Sequence, residues 1–169
     1  MTELTLRLVR HGETDWARDQ RYTGHTDVPL NDTGTAQAMA LRPLATEPFA
    51  SVWCSDLARC VETARLMGVD ATPTAALREF DFGEIEGRRW DDLDAATQAG
   101  LLAFDGFAAP GGESVVDFGV RIDSFVGGLE PGRHLLVTHG GVIRHQLRRL
   151  DRDERVDPGH WRDVVLRRR

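Results

Sequence analysis

The stretch Leu4-Thr5-Leu6-Arg7-Leu8-Val9-Arg10-His11-Gly12 decides the fold. Leu4, Leu6 and Leu8 alternate with Thr5, Arg7 and Val9, which is the two-residue period of a β-strand. The strand delivers Arg10 and His11 and stops at a glycine. The pattern recurs near the other end of the chain, where residues 135–138 read as a buried strand ending at His139-Gly140-Gly141. Between the two, residues 51–54 read as a short apolar strand. Ser55 or Asp56 then stands where a helix cap is needed. That helix would bury Leu57, Val61 and Ala64, with Arg59 in its first turn.

Working outward, a loop over about residues 15–31 is marked by Gly24 and Pro29. A helix is expected from near Thr33 through Ala36, Met39 and Ala40, ended or kinked by Pro43. Residues 71–75 read as extended and residues 79–87 as an ordered acidic loop. A short helix is expected over residues 90–98. Pro110-Gly111-Gly112 breaks the chain, and Ser114 with Asp117 resembles a capping box. The helix it opens carries Val115, Phe118, Ile122, Phe125 and Leu129 on one face. A helix over residues 142–150 and a last strand over residues 161–166 complete the chain. Strands and helices alternate, which predicts one α/β domain over residues 1–169. The expected form is a three-layer α/β/α sandwich around a mostly parallel sheet. Ligands of such sheets bind beyond the carboxyl ends of the strands. Three strand ends here bring Arg10, His11, Arg59 and His139 towards one point.

Composition narrows the function. The chain has 169 residues with 41% hydrophobic and 28% charged, a folding composition with room for one domain. No apolar run approaches the roughly 18 residues of a membrane span. No secretory signal precedes Arg10, so a cytoplasmic protein without membrane contact is expected. Cys54 and Cys60 form neither a disulfide framework nor a CxxC pair. The net charge of -6 argues against a nucleic-acid partner. All 21 basic residues are Arg, which excludes Schiff-base and P-loop lysine chemistry. Residues 133–169 are net basic, but Asp151, Asp153, Glu154, Asp157 and Asp163 are interleaved there as on a solvated face.

Two guanidiniums and two imidazoles around one point make an anion site. The Arg fork matches phosphate oxygens, and the first turn of a helix adds free N–H groups. Neighbouring Arg keeps a histidine neutral, as a nucleophile must be, and offsets charge in the transition state. The leaving oxygen then needs a proton, which a carboxylic acid beside the phosphate can give. Glu79, Asp81, Glu84 and Glu86 are the candidates, and composition does not choose among them.

Arg10-His11-Gly12-Glu13-Thr14 after a first strand resembles the signature of the histidine phosphatase superfamily, the phosphoglycerate mutase-like proteins. Gly24-His25-Thr26-Asp27-Val28-Pro29-Leu30 with Gly34 resembles the family's G-x-x-D-x-P-L segment. Ser55-Asp56-Leu57-Ala58-Arg59 with Glu62-Thr63-Ala64 is similar to its second arginine motif. Leu77-Arg78-Glu79 with Phe82-Gly83 and Glu86-Gly87 is similar to its general-acid loop. Pro110-Gly111-Gly112-Glu113-Ser114 and Val137-Thr138-His139-Gly140-Gly141 match two further segments in the right order. The resemblance implies that His11 is transiently phosphorylated and that Arg10, Arg59 and His139 grip the phosphoryl oxygens. Glu79 is then the proton donor and later the base that activates water. Thr23 and Gly24 match substrate-facing positions, and the Gly140 amide helps hold phosphate. The resemblance implies no cofactor and no metal. The expected ligand is a small phosphorylated metabolite, and the protein would be a monomer or a homodimer.

Two departures matter. Ala17 stands where many members carry Asn near the phosphate, with Arg18 or Arg21 as possible replacements. Only about 25 residues separate Gly87 from Glu113, and the chain ends soon after Trp161. Mutases of the family carry a longer cover there and a tail. A thinly covered phosphohistidine loses its phosphate to water, which favours a phosphatase with an open pocket, of the α-ribazole phosphatase-like kind. A phosphoglycerate mutase and a non-catalytic phospho-ligand binder are the alternatives. His25, His134, His145 and His160 read as surface or locally bonded residues, not zinc ligands. Cys54 and Arg59 lie one residue too close for a Cys-x5-Arg phosphatase, and no G-x-S-x-G occurs. Trp53, Phe118 and Phe125 read as core. Trp90, Phe104, Phe107 and Trp161 are candidates for the pocket mouth.

Overall fold

The structure, a computed structural model, describes residues 2–168. Its elements in chain order are β1 (Thr2–Arg10), α1 (Asp15–Arg18), α2 (Asp32–Ala40), β2 (Ser51–Ser55), α3 (Ala58–Met67), β3 (Thr72–Thr74), α4 (Ala95–Ala103), α5 (Val115–Gly127), β4 (Gly132–Thr138), α6 (Gly140–Arg148) and β5 (Trp161–Arg168). The strands form one sheet in the order β3-β2-β4-β1-β5. β1 runs parallel to β4, and β2 runs parallel to both β4 and β3. β5 closes the edge antiparallel to β1. The expected mostly parallel α/β sandwich is therefore present. Arg169, the end of the basic Arg167–Arg169 run, lies outside the described residues.

The two-residue period of β1 divides its side chains between two layers. Leu4, Leu6 and Leu8 pack with Leu136, Phe118, Ile122 and Ile143, the layer of α5 and α6. Val9 packs with Leu135, Val137, Cys60, Ala64 and Met67, the layer of α3. Both faces are covered, which explains why residues 135–137 of β4 are apolar without alternation. Arg7 belongs by register to the second face and is buried there. It is held by Asp163 and Glu47 and stacks over the Trp161 ring at 4.6 Å. Trp161 is thus a packing residue rather than part of a pocket mouth.

Several boundaries differ from expectation for identifiable reasons. α2 is capped by Asn31, whose Oδ1 accepts from the Gly34 amide at 2.8 Å, and Pro43 sits in a following 3₁₀ turn, Arg42–Thr46. α3 is capped neither by Ser55 nor by Asp56. Leu57 holds the cap position, and Asp27 accepts from the Ala58 amide at 2.8 Å across the chain. Asp56 instead forks onto Arg78. The buried face of α3 is Arg59, Cys60, Thr63, Ala64, Leu66 and Met67, while Val61 is exposed. The expected apolar stripe was rotated because the true inner face carries an arginine. The helix expected over residues 90–98 is a 3₁₀ turn, Trp90–Asp92, followed by α4, and α6 begins two residues early at Gly140. The Ser114 cap forms as expected, with its Oγ accepting from the Asp117 amide at 3.0 Å. Among the described residues, no helix is long and apolar enough to cross a membrane.

Candidate active site

The parallel register of β1 and β4 pairs Arg10 with Thr138, so His11 and His139 leave the sheet side by side. The His11 amide donates to the Thr138 carbonyl at 3.0 Å. The imidazole centroids are 5.1 Å apart, with the rings at 66°. His11 is 5% exposed, Arg59 is 1% and His139 is fully buried.

His11 has a fixed tautomer. Its Nδ1 lies 2.7 Å from the Gly12 carbonyl, which only accepts, so Nδ1 carries the proton and Nε2 keeps a lone pair. Burial, then the charges of Arg59 and Arg10, hold its pKa well below 6.5. His139 is held low in the same way, by burial first and then by Arg59, His11 and Arg10. Both rings are therefore neutral near pH 7.

The two arginines are anchored from behind. Arg10 Nη1 donates to the Val156 carbonyl at 2.7 Å. Arg59 donates from Nη1 to the Thr26 carbonyl at 3.0 Å and from Nη2 to the Gly24 carbonyl at 2.6 Å. The Nε donors of both side chains are buried with no partner among the described residues. Unpaired buried donors are costly in an apolar interior, and an anion beside these two guanidiniums would satisfy them. The loop under Arg59 is clamped in turn by Glu86, which accepts from the His25 and Thr26 amides at 2.7 Å each. A Cβ on Gly24 would stand 2.3 Å from the Phe80 carbonyl, so only glycine allows this approach.

Glu79 holds its carboxylate by two backbone donors. Oε1 accepts from its neighbour Phe80 and Oε2 from the Gly141 amide, each at 2.9 Å. A Cβ at Gly141 would lie 2.1 Å from Glu79 Oε1, so a larger residue there would force the carboxylate to move. The four candidate carboxylates now separate. Glu79 lines the cavity, whereas Asp81 turns to the Gly83 amide and Glu86 to the loop of His25, and Glu84 is exposed.

That cavity has a volume of about 1430 Å³. Arg10, His11, Thr23, Glu79, Gly140 and Gly141 line it. Gly24 and the buried Arg59 and His139 are not among its lining residues. Gly140 lies against the Arg10 guanidinium, 3.2 Å from it by the same Cβ measure. Tyr22, Phe82, Trp90, Leu101, Leu102 and Phe104 make an apolar wall. Phe107 packs under it against Phe80 rather than at the mouth. Ala17 also lines the cavity. Arg18 and Arg21 line it too, Arg18 with ion pairs to Asp15 and Asp19 and Arg21 donating to the Gly87 carbonyl at 2.7 Å.

Several contributors were not visible in the sequence. Thr63 Oγ1 accepts from the Gly12 amide at 3.1 Å and donates to the Arg59 carbonyl at 2.6 Å, tying the two arginine motifs together. Cys60 Sγ lies 3.5 Å from His139 Nε2 and from the Thr138 carbonyl, and burial pushes its thiol pKa up. Cys54 is also buried, with its thiol pushed up to about 11, so it is inert as a nucleophile. The remaining histidines are locally bonded. His25 Nε2 donates to the Glu79 carbonyl, His134 bridges Ser51 and the Glu130 carbonyl, His145 meets Asp123, and His160 meets the Pro158 carbonyl. Among the described residues, no group of three or more His, Cys, Asp or Glu is placed to hold a metal ion.

Comparison with known proteins assigns the family. Residues 6–165 match the family model of the histidine phosphatase superfamily (branch 1). The 2,3-bisphosphoglycerate-dependent phosphoglycerate mutase 2 of Gloeobacter violaceus is 34% identical over 165 residues, covering 86% of this chain and 75% of that protein. Phosphoglycerate mutase-like protein 4 of Arabidopsis thaliana is 33% identical, and this chain spans only 66% of its length. The crystal structure of phosphoglycerate mutase from Thermus thermophilus superposes with a TM-score of 0.89 at 44% identity, covering 95% of this chain and 92% of that one. A candidate alpha-ribazole-5'-P phosphatase from Escherichia coli superposes with a TM-score of 0.84 at 30% identity, covering 97% and 91%. With the paired histidines, the two anchored arginines and the strand order all in place, the chain belongs to the histidine phosphatase superfamily, branch 1.

Proposed function

We propose that the chain is a metal-independent phosphomonoester hydrolase that works through a phosphohistidine on a small phosphorylated metabolite in the cytoplasm. The observation that carries this reading is that a neutral, tautomer-fixed His11 and a backbone-held Glu79 line the same cavity. His11 Nε2 attacks phosphorus while the P–O bond to the leaving group breaks, and Glu79 gives its proton to the departing oxygen. Arg10, Arg59, His139 and the Gly140 amide balance the charge of the phosphoryl oxygens. Water then attacks the phosphohistidine and gives a proton to Glu79. The P–N bond breaks, inorganic phosphate leaves, and both residues return to their starting states.

Hydrolysis is favoured over mutase chemistry by the thin cover of the site. Residues 88–113 supply one short helix, α4, and its Leu102 on the cavity wall is 73% exposed. Water reaches a phosphohistidine behind such a wall. The apolar part of the lining suits a phosphate ester with a flat, weakly polar body, and α-ribazole 5′-phosphate is our first choice of substrate. Phosphoglycerate mutase is the second reading, supported by the names of the relatives. Phosphate release in EDTA from a panel holding α-ribazole 5′-phosphate, 3-phosphoglycerate, nucleoside monophosphates and sugar phosphates tests the choice. Release from one ester far above the rest fixes the substrate. Interconversion of phosphoglycerates with a bisphosphate primer, and no net release, overturns the hydrolase reading. Unchanged phosphate release by His11→Ala overturns the phosphohistidine.

A further inference from the structure

The segment Pro110-Gly111-Gly112-Glu113-Ser114 stands out in the sequence and takes no part in the chemistry above. It lies against the loop that carries Glu79. The Glu113 amide donates to the Asp81 carbonyl at 3.0 Å, and the Asp81 amide donates to Glu113 Oε2 at 3.3 Å. The Glu113 carboxylate also forks onto Arg121 of α5, from Nε to Oε1 at 3.0 Å and from Nη2 to Oε2 at 2.9 Å. The rest of that guanidinium faces the backbone of the loop. Nη1 donates to the carbonyls of Ala76 at 2.9 Å and Arg78 at 3.0 Å, and Nη2 to the carbonyl of Glu79 at 3.3 Å.

Residues 78–82 form neither helix nor strand, so no regular ladder fixes them. A general acid must nevertheless be held within a fraction of an ångström of the leaving oxygen. We propose that Arg121, oriented by Glu113, is a positioning residue for Glu79, holding its backbone from behind so that the carboxylate keeps its place beside the Gly141 amide. The inference rests on Glu79 being the proton donor. Its chemistry needs the arginine fork: five N–H donors in one plane serve two carboxylate oxygens and three carbonyls at once. A lysine cannot reproduce this.

The test is the dependence of kcat/KM on leaving-group acidity, measured on aryl phosphates from 4-nitrophenyl to 4-methoxyphenyl phosphate. An acidic phenol leaves without a donated proton, and a basic one does not. In Arg121→Lys and Glu113→Gln, the 4-methoxyphenyl ester is expected to lose about tenfold more than the 4-nitrophenyl ester, and Glu79→Gln to show a steeper dependence still. A merely structural role lowers all esters by one factor. Glu113→Gln keeps side-chain volume, so it carries the test if Arg121→Lys fails to fold. A steep profile for Glu79→Gln with the parent profile in both clamp variants overturns the inference alone. A flat profile for Glu79→Gln overturns the proton-donor reading and the inference with it.

Discussion

His11 shows how far a single side chain is specified by its surroundings. Its Nδ1–H is committed to the Gly12 carbonyl, and burial with two guanidiniums removes any tendency to protonate near neutrality. The nucleophilic form is the neutral one, so His11 limits activity on the acid side, where pH falls through its depressed pKa. The acid limb of kcat/KM is therefore expected below pH 6.5, and a limb at or above 6.5 would show that burial and the two guanidiniums together do not depress this ring. The glycine at 141 is equally specified. Gly141→Ala pushes a methyl group into Glu79 Oε1, and kcat/KM should fall by about a hundredfold while the melting temperature holds. Retained activity in that variant would mean that the carboxylate has other room to stand.

At the scale of elements, the loop of residues 23–27 joins parts that are distant in sequence. Its carbonyls hold Arg59, its amides are held by Glu86, and its Asp27 caps α3 one residue before Arg59. Asp27→Ala should cost about 1 kcal/mol, or roughly 2–4 °C in melting temperature, and should also lower kcat/KM because the helix end beside Arg59 is loosened. Thermal unfolding and steady-state kinetics on one preparation check both halves. The wall formed by the 3₁₀ turn at Trp90 and by α4 belongs to the same scale. Trp90→Ala should raise KM by roughly tenfold for esters with an apolar body and leave that for small polar esters unchanged. Equal changes for both classes would remove this wall from substrate recognition.

Across the whole molecule, the strand-and-helix alternation and the placing of Arg10, His11 and His139 at parallel strand ends were legible in the sequence. Period-two leucines and abrupt glycine stops are local signals. Arg59 was legible as a motif but not as the inner face of α3, because hydrophobic periodicity assigns a charged residue to solvent. The Asp27 cap, the Thr63 link and the Glu113–Arg121 clamp were not legible, since each joins residues whose proximity the fold alone creates. The buried neutral histidines also set a pH response for the whole fold. Their folded pKa values lie below the unfolded value of 6.5, so the unfolded chain binds more protons as pH falls. Stability from this source is present above pH 6.5 and is lost on acidification below it. The melting temperature should drop between about pH 7 and 5, and less so in a His139→Gln variant.

Phosphoryl transfer through His11 is tested most directly by trapping the intermediate. The protein is mixed with a ³²P-labelled phosphomonoester that it turns over, quenched in alkali, which spares phosphohistidine, and mapped by peptide mass spectrometry. The expected result is one acid-labile phosphoryl group on His11, formed and lost at rates that match turnover, and absent from His11→Ala. Label on another residue, or full turnover with no phosphoenzyme in the quench, would contradict the central role given to His11.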